Sequence, residues 1–165
     1  MIVQGITGKY GSAHTKLMIE YGTNIAAGVT PGKGGQKFEE NVPIYNSVQE
    51  AVDDSGAQIS IIFVPAKFFL NAAKEAFGAG IKLLVAIPEH VPIRDAMQAI
   101  ELAKQNNAIM IGPNTPGVII PELIKVGIMP ASPFSLGKVA VLSKSGTLLY
   151  EISNNLTSAG FGQSI

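Results

Sequence analysis

A chain of 165 residues, 47% hydrophobic and only 15% charged, can bury one ordinary core with part of a second and does not compose a disordered segment. Twelve basic side chains balance twelve acidic ones, which leaves no electrostatic footprint for nucleic acid or an anionic membrane surface. The absence of cysteine excludes disulfides and protein thiolate chemistry, and two histidines, His14 and His90, are too few for a multi-histidine metal site, so no metal ligand is expected.

The chain opens with an apolar run, residues 2–6, that reads as a buried strand and passes at once into Gly5, Gly8 and Gly11. Residues 12–22 then carry Ala13, Leu17, Met18 and Tyr21 on one helical face. Strand, glycine turn and helix together make a cradle for phosphate: glycines admit a close ligand, and a helix N-terminus offers unpaired N–H groups and a positive dipole end. Residues 24–27 read as a second strand, running into a glycine-rich loop over 29–38 centred on Lys33. A dinucleotide site would place an acid about 20 positions past its glycines to hold the ribose hydroxyls. Between Tyr21 and Phe38 there is no Asp or Glu, and Lys33 and Lys37 stand there instead. A lysine at that point suits a phosphorylated ribose, either NADP or the 3′-phosphoadenosine end of coenzyme A.

Residues 43–45 read as a short extended segment, and Ser47 with Glu50 as a capping box ahead of Val48, Ala51 and Val52. Residues 59–64 are apolar on both faces, as a buried parallel strand should be. A helix over 67–79 stopping at Gly80 follows, then a fourth strand over 82–87 ending at Ile87, Pro88 and Glu89. Pro92 opens a helix expected to turn Ile93, Met97, Ile100 and Ala103 inward and Arg94, Glu101 and Lys104 outward. Residues 108–111 are a fifth strand, and 118–133, with three prolines, read as a linker or irregular strand. A last strand over 138–142 leads to a helix beginning near Thr147, capped by Ser145, with Leu149, Ile152 and Leu156 as its buried stripe.

Strands alternating with helices predict an α/β fold with a doubly wound, mostly parallel sheet, followed by the first βα unit of a second domain. Ligands of such sheets bind beyond the carboxyl ends of the strands. That rule gathers residues 7–10, Lys33, Val64, Pro65, residues 87–89, Asn114 and Thr115 along one edge. No apolar run reaches membrane-span length and no charged-then-apolar leader stands at the start, so a cytoplasmic location is expected, or the mitochondrial matrix for a eukaryotic source.

The stretches GITG at 5–8, GVTPGKGG at 28–35, VPA at 64–66, GPNTPG at 112–117 and SKSGTLLYE at 143–151 resemble the α subunit of succinyl-CoA synthetase over essentially the whole chain. The resemblance implies a Rossmann-like CoA-binding domain over 1–130 and the start of a flavodoxin-like phosphohistidine domain over 131–165. It also implies a succinate–CoA ligase that converts succinyl-CoA, phosphate and ADP or GDP to succinate, CoA and ATP or GTP, with nucleotide and Mg²⁺ on a partner β subunit. Matched by motif, Thr7, Gly8, Lys9 and Tyr10 would line the CoA phosphate loop, and Lys33 would meet the phosphorylated adenosine. Ile87, Pro88 and Glu89 would flank the pantetheine. Tyr150 would contact substrate, and Ser145, Gly146 and Thr147 would begin the helix that faces the phosphohistidine. Pro88 departs by removing a backbone donor. The family's phosphorylated histidine lies beyond the matched region, and neither His14 nor His90 corresponds to it, so the chain is expected to be inactive alone. A stand-alone CoA- or NADP-binding regulatory module is the alternative reading.

Overall fold

The computed structural model describes residues 1–165. Its framework is a seven-stranded sheet built from β1 (Ile2–Gln4), β2 (Ala27–Val29), β3 (Lys37–Phe38), β4 (Val42–Tyr45), β5 (Ile59–Ile62), β6 (Leu83–Ala86) and β7 (Ile109–Ile111). The order is β3-β4-β2-β1-β5-β6-β7, parallel except for β3, which runs antiparallel to β4. The expected fold class is therefore present, and the chain reverses its direction of travel across the sheet at β1. Successive residues of β1 serve opposite faces. Ile2 joins Val48 and Ala51 of α2 (Val48–Ser55), Phe69 and Phe77 of α3 (Phe69–Gly78) and Ala99 of α4 (Ile93–Gln105). Val3 joins Met18 of α1 (Lys9–Glu20) and Val126. Burial of both faces explains why the central strands are mostly apolar, and the two buried polar side chains there pair, Gln4 Nε2 donating to Ser60 Oγ at 3.1 Å.

The capping box forms much as its residues predict: Ser47 accepts from the Glu50 N–H at 3.2 Å, and Glu50 reaches back to the Asn46 N–H at 3.1 Å. Several expectations move. Helix α1 starts at Lys9, not near residue 12, and the second strand lies at Ala27–Val29, three residues later than expected. The first part of the proline-rich stretch is regular, while residues 128–133 stay irregular. The regular part folds into an antiparallel hairpin, β8 (Gly117–Ile120) with β9 (Ile124–Gly127), because Pro116 and Pro121 flank β8 without interrupting its ladder. Thr23, at the end of α1, pins this hairpin by accepting the Lys125 N–H at 3.1 Å and donating to the Lys125 carbonyl at 2.8 Å. Thr23→Val keeps the shape and removes both bonds, so it should cost about 1–3 kcal/mol through the two buried backbone groups left unpaired. Faster hydrogen exchange at the Lys125 amide, with little change at α3, is the expected signature.

Helix α4 keeps Ala103 inward and Arg94, Glu101 and Lys104 outward as expected, but Ile93, Met97 and Ile100 do not join its inner face. Ala99 and Ala103 are buried, whereas Ile93 is 80% and Met97 64% exposed, and Ile100 is also exposed. Small residues let α4 lie close on α3, which offers Ala72, Ala73 and Ala76 to the same cluster; size of side chain was the wrong guide to the inner face. The last strand, β10 (Leu136–Val139), sits earlier than residues 138–142 and stays outside the sheet, making only isolated bridges to Gln163. Helix α5 (Gly146–Ser158) begins as expected, with the Ser145 hydroxyl accepting the Leu148 N–H. Its stripe is not buried: Ile152 is exposed, Leu149 and Leu156 are half-buried, and Ser153 alone is enclosed. Gln163 holds this unit together, accepting the Ser135 N–H at 3.1 Å and donating to the Ser153 carbonyl at 2.9 Å. No helix is long and apolar enough to cross a membrane.

Candidate functional site

The loop after β1 turns at Gly5, whose φ of +80° is open to glycine, and the Gly8 N–H closes it on the Gly5 carbonyl at 3.0 Å. Gly8 is the extended N-cap of α1, and the first bond of the helix runs from the Ser12 N–H to the Gly8 carbonyl at 2.8 Å. The N–H groups of Lys9, Tyr10 and Gly11 precede that bond and point out of the helix end, where the dipole contributes roughly half a positive charge. Beside it lies the loop after β2. Asn46 shapes that loop by accepting the N–H groups of Gly32 at 2.9 Å and Gly34 at 3.1 Å with one side-chain oxygen. The two loops are tied directly, Thr7 Oγ1 to Thr30 Oγ1 at 3.2 Å, so Thr7, Gly8, Lys9 and Lys33 stand in one neighbourhood with the lysines free in solvent.

A cleft of about 1070 Å³ continues from this neighbourhood along the carboxyl edge of the sheet. Tyr10, Ile87, Pro88 and Glu89 line it on the sheet side, with Val64, Pro65, Asn114 and Thr115. Gly146 and Thr147, at the start of α5, line it from the other side. Thr7, Gly8, Lys9 and Lys33 sit outside this lining. Ser145 caps α5 behind the rim, and Tyr150 packs edge-on against Phe134 at 6.3 Å, off the cleft wall. The Pro88 carbonyl, free to accept, takes the Asn114 N–H at 3.0 Å and so locks the turn after β6 to the turn after β7.

Two kinds of site residue escape sequence reasoning. Thr30 and Asn46 organise the loops through side-chain hydrogen bonds that spacing along the chain does not announce. Phe63 and Lys144 line the cleft without a distinguishing pattern, although Lys144 adds a cation beside the α5 N-terminus. Electrostatically, burial pushes the Tyr150 hydroxyl up from its ordinary 10.0. Burial, then repulsion from Lys125, holds His14 below its ordinary 6.5. The unfolded chain therefore takes up that proton first. The contribution of neutral His14 to stability is complete above about pH 6.5 and is lost as pH falls through that value toward the folded one. No group of three or more His, Cys, Asp or Glu side chains stands together to hold a metal ion.

A family model described as the CoA binding domain matches residues 1–90. The chain is 53% identical over 163 residues to the α subunit of the ADP-forming succinate–CoA ligase of Methanothermobacter thermautotrophicus, covering 99% of this chain and 55% of that one. It is 52% identical to the corresponding subunit of Aquifex aeolicus, covering 99% of this chain and 54% of the relative. The chain thus spans about half the length of the curated relatives it matches. Among solved structures, ATP citrate lyase from Methanothrix soehngenii, in complex with citrate and coenzyme A, superposes with a TM-score of 0.82. That likeness covers 99% of this chain and 30% of the lyase at 21% identity, and it speaks to fold.

Proposed function

This chain belongs to the CoA-binding domain family, and from that premise we propose that it is the CoA-binding part of a succinate–CoA ligase α subunit, acting with a β subunit in the cytoplasm. The observation that carries the reading is the Thr7–Thr30 hydrogen bond, which makes one surface of the α1 N-terminus and the Lys33 loop. On that surface the diphosphate of CoA meets the unpaired N–H groups of residues 9–11, and the 3′-phosphate meets Lys33. The pantetheine follows the cleft past Tyr10, Ile87, Pro88 and Glu89 toward Thr147.

In the complete ligase, phosphate would displace CoA from succinyl-CoA, and succinyl phosphate would pass its phosphoryl group to a histidine with release of succinate. The β subunit would hold the ADP or GDP, with Mg²⁺, that accepts the group from the histidine. Within this chain, residues 1–130 position CoA. Residues 131–165 bring the α5 N-terminus, with Ser145, Gly146 and Thr147, to the end of the cleft, where it steadies negative charge. Tyr150, set one turn into α5 against Phe134, is the side chain of this helix assigned to meet substrate. Neither His14 nor His90 lines the cleft; His90 is exposed on a turn, 3.9 Å from Glu89. The chain alone is therefore expected to bind CoA without turnover.

Calorimetric titration with CoA, dephospho-CoA and NADP tests the reading. Saturable CoA binding, weaker without the 3′-phosphate, supports it, whereas preference for NADP or no binding overturns it. Lys33→Ala should lose about 1.5–3 kcal/mol of CoA affinity, the worth of a charge-assisted contact, while scarcely changing dephospho-CoA. Equal losses for both ligands would remove Lys33 from that role.

A further inference from the structure

Three aromatic rings form a ladder from the first turn of α1 to the end of β5. Tyr10 and His14, one helical turn apart, lie with centroids 6.3 Å apart and planes 15° from parallel. His14 and Phe63 lie 6.0 Å apart and 5° from parallel. Tyr10 and Phe63 line the cleft, and His14 stands between them without lining it. The Tyr10 ring is 73% exposed, and its hydroxyl makes no hydrogen bond within the chain. The His14 ring is the aromatic neighbour that stacks on it.

His14 is odd in one respect: its Nδ1 is buried and has no hydrogen-bond partner. A buried polar atom left unpaired is a liability that a phenylalanine at this position would not carry. We propose that His14 is a positioning residue, holding Tyr10 against the cleft while neutral and releasing it on protonation, so that ligand binding follows the charge of His14. This rests on the reading of the cleft as a CoA site.

The surroundings give the protonated ring nowhere to place its charge. From the hairpin, the group that faces His14 is Lys125, a cation whose carboxylate neighbour is Glu20, further along α1. From α1 itself Tyr10 is the titratable neighbour, and from the end of β5 the neighbour is the uncharged Phe63. Cation–π attraction to the flanking rings would favour the charged form, but 6.0 and 6.3 Å stand at the outer limit of about 6 Å for that effect. Burial of Nδ1 and repulsion from Lys125 act against it, and the direction of the His14 pKa agrees. The charged ring, with Nδ1–H unpaired and Lys125 opposite, is better solvated turned outward, and a ring that swings out no longer supports Tyr10.

The test is a pH series of dephospho-CoA affinities for the wild-type chain, His14→Phe and His14→Ala. Dephospho-CoA is used because the 3′-phosphomonoester of CoA itself takes a proton near pH 6. Wild-type affinity should fall about twofold by the midpoint of the His14 titration, read from its own ring-proton shifts, and about tenfold one pH unit below it. His14→Phe should rescue the pH 8 affinity and flatten the profile, and His14→Ala should bind more weakly at every pH. A His14→Phe profile as steep as the wild type, or His14→Ala binding undiminished at pH 8, overturns the proposal. A second readout needs no ligand: in the free protein, the Tyr10 ring proton shifts should track the His14 titration. If the chain binds no form of CoA, the CoA reading fails, while Tyr10 shifts that follow His14 still uphold the coupling. Tyr10 shifts constant across that titration overturn it.

Discussion

Phe69→Ala is expected to cost about 3–5 kcal/mol, while Phe68→Ala, one residue earlier, costs about 1 kcal/mol or less. Phe69 is fully buried as the first residue of α3 and packs in the cluster that joins Ile2, Ile62 and Leu84 to three helices. Truncation removes most of an aromatic side chain and leaves a cavity that rigid strands on one side cannot fill. Phe68 is 49% exposed, and its ring lies 4.8 Å beneath the Lys67 ammonium, a contact water largely replaces. With a total stability for a domain of this size of about 5–15 kcal/mol, the first variant should shift the denaturant midpoint well beyond scatter and the second should not. The effect should also reach the ligand. Val64, Pro65 and Ala66 line the cleft immediately before the turn that Phe69 anchors, so CoA affinity should fall with stability in Phe69→Ala. Equal midpoints for the two variants would refute the packing assigned to α3.

These side chains also show what a single sequence reveals. The central strands were legible because burial on two faces leaves them largely apolar, with Gln4 and Ser60 satisfied by one another, and the capping box because its spacing has few other uses. The α1 start was not, since Gly11 resembles loop when read by propensity and is in fact inside the helix. The α4 face misled for a related reason. Periodicity marks which residues share a side, yet Ile93, Met97 and Ile100 share the outer one while alanines make the contact with α3. Prolines hid the hairpin because Pro116 and Pro121 stand at the two ends of β8, before the strand and in the turn after it. In the site, the glycine turn, Lys33 and the residues after β6 follow from the rule that parallel sheets bind at their carboxyl edges. Asn46, Thr30 and the Tyr10–His14–Phe63 ladder do not, because each depends on side chains brought together by the sheet and not by spacing along the chain.

Gly11→Val should abolish measurable CoA binding and destabilise the chain by about 1–3 kcal/mol or more, with Gly11→Ala changing both in the same direction by less. Two effects oppose each other at this position. Helix propensity favours alanine over glycine by about 1 kcal/mol in a helix interior, and on that ground Gly11→Ala would stabilise. Sterics decide otherwise. A β-carbon at Gly11 would lie 2.1 Å from the Gly5 carbonyl oxygen and 2.9 Å from its carbon, both backbone atoms that no rotamer change can move. Relief requires the end of α1 to lift by on the order of 1 Å, since ordinary carbon contacts begin near 3.5 Å. The same carbonyl accepts the Gly8 N–H that closes the loop, so the shift opens the turn and misaims the N–H groups of residues 9–11. Binding therefore suffers more than stability does, because an anion held by several converging donors loses all of them together. Circular dichroism melts and CoA calorimetry on the two variants separate the cases. A stabilised Gly11→Ala with full affinity would mean that α1 is free to move, and that the glycine is there for the turn and not for the close approach of helix to strand.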